Sequence, residues 1–336
     1  MDELKIIKTK PGHADFHLFE NLPKRLYPAD SIRQRQSETI NKEFLKDCYV
    51  LLKNGEPEAR AALYNNPFTC NELKTAALGN YESTADKEVS EKLLRFAIDE
   101  AKKSGAEFLI GPMNGSTWDS YRFSIHHDTS NFLLEPFHHL YYNGQFLFSG
   151  FLPISKYTSS IDKEIHFDHP EVLKLDKQFA DAGVTIRNIN MNDYEGELKK
   201  LYPFITEAFK TNFLYTPISW ETFRSKYLEA AKIINPEYVL LAEDAECNVI
   251  GFIFCYDDLF NTNEKSLVIK TIARDKSKQW AGLGHVLANR VIRLVKSKGY
   301  KSIIHAFMIE QATSTAISKD FLGTVYKNYV LYGLKL

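Results

Sequence analysis

Two glycines lie at the start of a predicted helix in the segment "KQWAGLGH", residues 278–285. The first N–H groups of a helix have no partner inside the helix, and they carry a partial positive charge. Because Gly282 and Gly284 have no Cβ atom, a diphosphate could approach those N–H groups closely. The same glycines would also suit a plain N-terminal turn that packs tightly on a sheet, so the spacing alone leaves both interpretations open.

Three further residues carry groups that could move a proton. His305 lies within the predicted strand "KSIIHAFM", and Glu310 follows that strand. Either could act as a general base for an amine, and Tyr326 in "VYKNYVLY" could act as an acid. Each also has an ordinary interpretation, as a packed histidine, a surface carboxylate and a strand aromatic, so the catalytic residues stay unassigned.

The loop "GSTWDSYRF", residues 115–123, offers Trp118, Tyr121 and Arg122 as candidates for the lining of a substrate cleft; a packed loop is the alternative.

Histidines cluster in "SIHHD", "FHHL" and "HFDH". Adjacent histidines on a strand point to opposite faces, and no set with zinc-ligand spacing is present. The sequence therefore predicts no metal site.

The elements that must position these residues occur twice in the chain. Residues 49–64 and 238–256 each read as a β-hairpin, and each is followed by a strand, an amphipathic helix and a buried strand. Both helices end in basic residues and a glycine, at Gly105 and Gly299. The pattern predicts an α/β (α+β) protein with an N-terminal domain at 1–165, a connector helix at 166–182 and a C-terminal domain at 183–336.

The bulk composition excludes several classes of protein. The 336 residues carry a formal net charge of −1, which favours neither nucleic acid nor an anionic membrane as a partner. No apolar run reaches the roughly 18 residues that span a bilayer, and the first residues lack the apolar core of a signal peptide. The four cysteines have no C-x-x-C spacing, as is typical of reduced thiols. A cytoplasmic location is expected.

The spacing Gln279-x-x-Gly282-x-Gly284 resembles the Q/R-x-x-G-x-G/A loop of the GNAT acyltransferase superfamily. The G-P-x-N turn at Gly111, Pro112 and Asn114 and the duplicated element order are similar to uncharacterised bacterial tandem-GNAT proteins, over nearly the whole chain. The resemblance implies two GNAT-like domains, each with a mixed, mostly antiparallel central sheet flanked by helices. It also implies an N-acetyltransferase that moves an acyl group directly from acetyl-CoA to a small-molecule or peptide amine.

The resemblance assigns one acetyl-CoA or coenzyme A to each chain, in the C-terminal domain. The strand residues that would pair with the pantetheine arm and the loop residues that would hold the diphosphate are Ile272, Ala273, Arg274, Gln279, Trp280, Ala281, Gly282, Leu283, Gly284 and His285. Many members of the superfamily use a tyrosine before a Gly-Phe pair as general acid, whereas the segment "AISKDFLG" here has none.

The first repeat has lost its glycines. At a constant offset of 194, Ala85, Glu88 and Ser90 stand where Gln279, Gly282 and Gly284 stand in the second repeat, and Glu88 and Glu91 would repel a diphosphate. We therefore expect a degenerate first repeat, and we expect Gly282→Glu to abolish diphosphate binding without unfolding the chain. Two alternatives to the acyltransferase remain: a coenzyme-A-binding protein without transfer activity, and an aminoacyl-tRNA-dependent transferase.

Overall fold

The computed structural model describes residues 2–36, 39–125, 128–309 and 323–336. The chain forms two compact units. The first contains residues 1–156, 213–216 and 328–336, and the second contains residues 157–212 and 217–327.

The first unit is built on a sheet with the strand order β1-β2-β3-β5-β6-β14. All neighbouring strands in it are antiparallel except β5 and β6, which are parallel. The strands that contribute to this unit are β1 (Leu4–Thr9), β2 (Leu45–Lys53), β3 (Glu56–Tyr64), β4 (Thr69–Cys70), β5 (Leu73–Ser83), β6 (Phe108–Gly111), β7 (Phe123–Ser124) and, from residue 328, β14 (Thr324–Lys335).

Four helices belong to the first unit: α1 (Phe16–Leu26), α2 (Ile32–Arg35), α3 (Lys87–Lys103) and α4 (Tyr141–Phe148). The apolar face of α3, with Val89, Leu93 and Ala97, is fully buried against the sheet. Burial of apolar surface at roughly 25 cal/mol per Å² is what holds such a helix in place.

The second unit repeats this plan with the strand order β8-β13-β12-β11-β10-β9, in which only β12 and β13 are parallel. Its strands are β8 (Leu152–Asp162, in this unit from residue 157), β9 (Thr185–Asn188), β10 (Val239–Glu243), β11 (Val249–Asp257), β12 (Ser266–Arg274) and β13 (Ser302–Ile309). Its helices are α5 (Pro170–Asp181), α6 (Tyr194–Phe209), α7 (Trp220–Ala230) and α8 (Leu283–Ser297).

The duplicated element order predicted from the sequence is confirmed. Gly105 and Gly299 follow α3 and α8 with φ angles of 78° and 77°, the left-handed conformation expected of a glycine that ends a helix. The fold class is confirmed as well, because the strands of each unit pair mostly antiparallel and are flanked by helices.

The compact units differ from the predicted domain ranges at two strands. Residues 157–165 lie in the second unit, because β8 pairs with β13, and residues 328–336 lie in the first, because β14 pairs with β6. The register of the latter pairing includes Leu334 opposite Leu109. The strand that completes each sheet therefore comes from outside its own repeat.

All four cysteines are free thiols, and only Cys247 is exposed. None of the helices in the described part of the chain combines the length and the hydrophobicity that a bilayer-spanning segment needs.

Candidate functional site

The strand β12 has one paired and one open edge over its last five residues. On one side it pairs with β11, with Ile253 opposite Ile272 and Gly251 opposite Arg274. On the other side it pairs with β13 only as far as Ile269 opposite His305. Among the described residues, no strand covers that side of residues 270–274. An extended ligand could therefore add to this edge through main-chain hydrogen bonds.

A β-bulge lies where β12 leaves β13. The register places Phe254 opposite Thr271 and Cys255 opposite Ile269, which leaves Lys270 without a paired residue in β11. A bulge bends its strand and changes the direction of the backbone groups around the extra residue. The open edge of β12 thus begins at a point where N–H groups do not follow the regular ladder.

The N-terminus of α8 follows this strand after residues 275–282, which include a short 3-10 helix at Lys278–Trp280. Its N-cap is Gly282, and the first turn contains no acidic residue. Within the described residues, the backbone N–H groups of Gly282, Leu283 and Gly284 have no hydrogen-bond partner. Unpaired N–H groups at the positive end of a helix are the groups that could bind an anion such as a phosphate.

Gly282 is required for two separate reasons. Its φ of 90° is in the left-handed region, and a Cβ atom on it would lie 2.6 Å from Cδ1 of Leu175 in α5. That Gly282→Glu leaves the fold intact stays a prediction, but the variant should lose stability, because any side chain at this position meets both backbone strain and Leu175. The sequence contained no sign that the connector helix packs here.

Helix α5 is fastened along α8 by ion pairs. Arg290 in α8 donates two hydrogen bonds to Asp176, at 2.7 and 3.2 Å. Near the start of α5, Asn289 contacts Asp168 through both the backbone N–H and the carboxylate. Trp280 in the glycine loop packs on Phe179, with 6.1 Å between ring centroids. One side of the loop is thus held by α5, while the helix terminus remains open.

The matching position in the first unit is closed by the protein itself. Asp86 is the N-cap of α3, and its carboxylate accepts hydrogen bonds from the N–H groups of Glu88 and Val89 at 2.9 and 3.4 Å. The constant offset of 194 is wrong at this end, because α3 has 17 residues and α8 has 15. Asp86, not Glu88, stands in the place of Gly282. Its position before Lys-Glu at a helix start is a recognisable N-cap signal.

The predicted cofactor residues fall into two groups. The side chains of Leu283 and Ala273 are buried, so only their backbone groups could meet a ligand. Gln279 and Ala281 are exposed, and His285, Ile272 and Trp280 are half-buried. Arg274 is half-buried and donates to its neighbour, the carbonyl of Asp275, at 2.5 Å.

The predicted proton-transfer residues are not brought together as a set. His305 is 5% exposed, burial lowers its pKa to about 4, and its Nε2 has no hydrogen-bond partner among the described residues. It is therefore neutral at neutral pH. Tyr326 is half-buried on β14. Glu310, Gln311 and the segment "AISKDFLG" up to residue 322 lie outside the described residues.

The three predicted cleft residues separate in the first unit. Tyr121 and Arg122 line one small cavity. Trp118 is not part of its lining; Nε1 of Trp118 donates to the carbonyl of Thr216 at 2.8 Å. No group of three or more histidine, cysteine, aspartate or glutamate side chains in the described part of the chain is arranged to hold a metal ion.

Comparison with known proteins gives structural but not sequence matches. No protein-family model matches the chain, and no curated protein sequence does. A GCN5-related N-acetyltransferase from Sphaerobacter thermophilus is similar over 98% of this chain and 95% of its own, with a TM-score of 0.54 and 13% identity. A tandem GNAT protein from the clavulanic acid biosynthesis pathway is similar over 99% and 98%, with a TM-score of 0.54 and 13% identity.

A third similar structure is the GCN5-related glucosamine N-acetyltransferase region of a fungal multi-domain GH3 β-N-acetylglucosaminidase. Its TM-score is 0.58 at 12% identity, over 99% of this chain, which spans 38% of that larger protein. Identities this low establish a fold and not an activity. The chain therefore has the fold of the GCN5-related N-acetyltransferases in its tandem arrangement, which confirms the fold implied by the glycine loop and the internal repeat.

Proposed function

We propose that the protein is an acyl-CoA-dependent N-acyltransferase, with acetyl-CoA as donor and an amine as acceptor, and that the second unit holds the donor. The observation that carries this proposal is the adjacency of two open backbone surfaces. The N-terminus of α8 offers three unpaired N–H groups, and the strand that leads to it offers an open edge at residues 270–274. A diphosphate joined to an extended amide-containing arm matches both surfaces.

The groups of this chain have distinct parts in the reaction. When bound, an acyl-CoA supplies the acyl group as a thioester. The N–H groups of Gly282, Leu283 and Gly284 would hold the diphosphate, and the backbone of residues 272–274 would align the arm. A backbone N–H beside the bulge at Lys270 would be placed to donate to the thioester carbonyl, where negative charge would develop during attack by the amine. The amine nitrogen would form a bond to the acyl carbon as the carbon–sulfur bond breaks; the proton of the amine would pass to solvent, and the departing thiolate would take one from solvent.

The first experiment measures binding. Coenzyme A at 100 times its dissociation constant should stabilise the folded state by about 2.7 kcal/mol. Ala281 is exposed and directly precedes the N-cap, so a carboxylate there should repel the diphosphate without disturbing the core. We expect Ala281→Glu to weaken coenzyme A binding about tenfold, ~1.4 kcal/mol, with Ala281→Gln as the neutral control. Equal affinities for both variants would place the diphosphate elsewhere.

The second experiment separates transfer from binding. Release of free thiol from acetyl-CoA is followed in the presence of a panel of primary amines and of peptides with free N-termini. Amine-dependent release supports the transferase. Binding without release under any of these conditions supports the alternative, a coenzyme-A-binding protein that performs no transfer, which the lack of a tyrosine in "AISKDFLG" also favours.

A further inference from the structure

An apolar cavity lies in the first unit, between the start of helix α3 and helix α4. Its volume is about 200 Å³. Because apolar cavities of about 150 Å³ take up benzene, the space is large enough for one substituted benzene ring. Six of the residues that line it are Ala85, Lys87, Tyr141, Gly144, Gln145 and Phe148.

The polar side chains that α4 contributes to the wall already have partners within the protein. The hydroxyl of Tyr141 donates to the carbonyl of Ser83 at 2.9 Å. Gln145 donates from Nε2 to the carbonyl of Thr84 at 2.8 Å and accepts at Oε1 from the hydroxyl of Tyr81 at 2.8 Å. Burial raises the pKa of Tyr141 to about 12, so this hydroxyl is neutral at neutral pH. This part of the wall therefore asks for no charged or strongly polar ligand.

The two charged residues of the lining, Lys87 and Glu91, balance each other. Nζ of Lys87 lies 3.5 Å from Oε1 of Glu91, one turn further along α3, and 5.4 Å from the ring centroid of Phe148. The side chains of the ion pair are 70% and 39% exposed, so the pair lies at the mouth of the cavity. Ser90, also in the lining, donates from its hydroxyl to the carbonyl of Lys87 at 3.0 Å. Paired opposite charges at the mouth favour neither an anion nor a cation.

Helix α4 is fixed from behind, so the cavity exists before a ligand arrives. Tyr142 and Phe146, on the other side of this helix, are fully buried in the core of the first unit. The hydroxyl of Tyr142 accepts a hydrogen bond from the N–H of Ser83 at 3.2 Å. A preformed site saves a ligand the cost of ordering the side chains around it.

Gly144 lies in the middle of α4, where neither the backbone nor the packing requires a glycine. Its φ is outside the left-handed region. Among the described residues, an ideal Cβ on Gly144 would meet a single atom within 4 Å beyond its own backbone surroundings, Cε2 of Phe148 at 3.8 Å, which is an ordinary contact. Glycine is a poor helix former. Its presence therefore costs the helix stability, and what it preserves is the open space beside Phe148.

We propose that this cavity is a binding site for a small, uncharged aromatic molecule with a single ring. The ring packs against those of Tyr141 and Phe148, because aromatic pairs in tilted or offset arrangements gain more than their buried area alone supplies. Its edge approaches the bare backbone of Gly144, and a neutral polar substituent faces the ion pair at the mouth. The site belongs to the first unit alone and does not depend on the proposed acyl transfer.

The test compares benzyl alcohol with three molecules that each differ from it in one property. Cyclohexylmethanol has a similar size without the aromatic ring, benzoate carries a negative charge, and N-acetylphenylalaninamide presents the ring as a peptide side chain. Saturation-transfer NMR on the full chain measures the four dissociation constants. We expect benzyl alcohol to bind at least about fivefold more tightly than each of the others.

Substitutions at Gly144 fill the cavity in steps. Gly144→Ala adds a methyl group and Gly144→Leu a larger side chain, so the dissociation constant of benzyl alcohol should rise about threefold and at least about tenfold, respectively. Because alanine favours a helix more than glycine does, the melting temperature of Gly144→Ala should not fall. Leu147→Ala, at an exposed position of α4 outside the lining, is the matched control and should leave the dissociation constant unchanged.

The outcomes separate the proposal from its rivals. Binding of benzyl alcohol that weakens in the order Gly144, Ala, Leu, with Leu147→Ala equal to wild type, supports it. No saturable binding by the folded wild-type protein, or binding that is the same whatever residue stands at position 144, would overturn it. Equal binding of cyclohexylmethanol would overturn the choice of an aromatic ligand, tighter binding of benzoate that of an uncharged one, and tighter binding of N-acetylphenylalaninamide that of a free small molecule. Near-ultraviolet circular dichroism identifies a variant that has lost its fold; if Gly144→Leu does so, Gly144→Ala decides the test.

Discussion

The side chain of Leu175 in the connector helix occupies the space into which a Cβ of Gly282 would project, with 2.6 Å between Cδ1 and the ideal Cβ position. This contact links a helix that carries no predicted site residue to the N-cap of the helix that carries the candidate diphosphate site. Gly282 is therefore needed for packing against Leu175 as well as for the access of a ligand to the N–H groups of α8.

Gly282→Ala should destabilise the protein by about 2 kcal/mol, because an alanine is strained at a positive φ and its Cβ would clash with the side chain of Leu175. Leu175→Ala removes the contact, so the double variant should lose less stability than the sum of the single variants, by about 1 kcal/mol. Urea unfolding of the four proteins measures this coupling. Strict additivity would show that only the backbone conformation matters.

Asp86→Ala should cost about 1 kcal/mol of folding stability, because the N–H groups of Glu88 and Val89 lose their acceptor. Asp86→Asn, which can still cap the helix, is the matched control and should cost less. The hydrogen bond from Lys53 lowers the pKa of Asp86 below its ordinary value of 3.8, so the ionised cap is favoured above that value. The contribution should fade as the pH falls through the lowered pKa.

Coenzyme A should bind with a stoichiometry of one per chain, if the proposed function is correct. The carboxylate of Asp86 occupies the N–H groups that a second diphosphate would need, whereas the N-terminus of α8 has no such group. Titration calorimetry at saturating coenzyme A gives the number directly. Two equivalent sites would show that the first repeat can displace its own cap.

His305 should make the protein less stable in mild acid. Its pKa is about 4 in the folded state, below the ordinary value of 6.5 that applies to the unfolded chain. Between these two pH values the histidine is protonated in the unfolded chain and neutral in the folded one. Stability should therefore fall as the pH drops from 6.5 toward 4, by up to about 3 kcal/mol from this one group. The difference in unfolding free energy between wild type and His305→Gln, measured across this range, isolates the effect from that of the carboxylates. A constant difference would contradict it.

The sequence predicted the parts of the fold that depend on local pattern. Apolar runs separated by polar turns predicted the hairpins, and apolar residues at helical spacing predicted α3 and α8. Gly105 and Gly299 indicated where these two helices end. It also identified Gly282 as the start of a helix that leaves N–H groups open. These features are set by residues close together in the chain, and that is why they can be read directly.

Features that depend on distant partners were not predicted. Nothing in "YKNYVLYGLKL" indicates that β14 pairs with β6, because an apolar strand fits either sheet equally well. The bulge at Lys270 depends on register with β11, and the approach of Leu175 to Gly282 depends on how α5 packs. The sequence marked Tyr121 and Arg122 as candidates for the lining of a cleft, but the cavity that they line is formed only where four segments of the chain meet.

The pairing of residues 328–336 with β6 has a consequence for synthesis. The ribosome makes most of the first unit early, yet the strand that completes its sheet follows the entire second unit in the chain. Until that strand emerges, β6 presents an unpaired edge, which is a hazard for association with other chains. We expect ribosome-bound chains of increasing length to gain protease protection at residues 45–111 only after residue 336 is free. The unit that is translated first is thus the last to be finished.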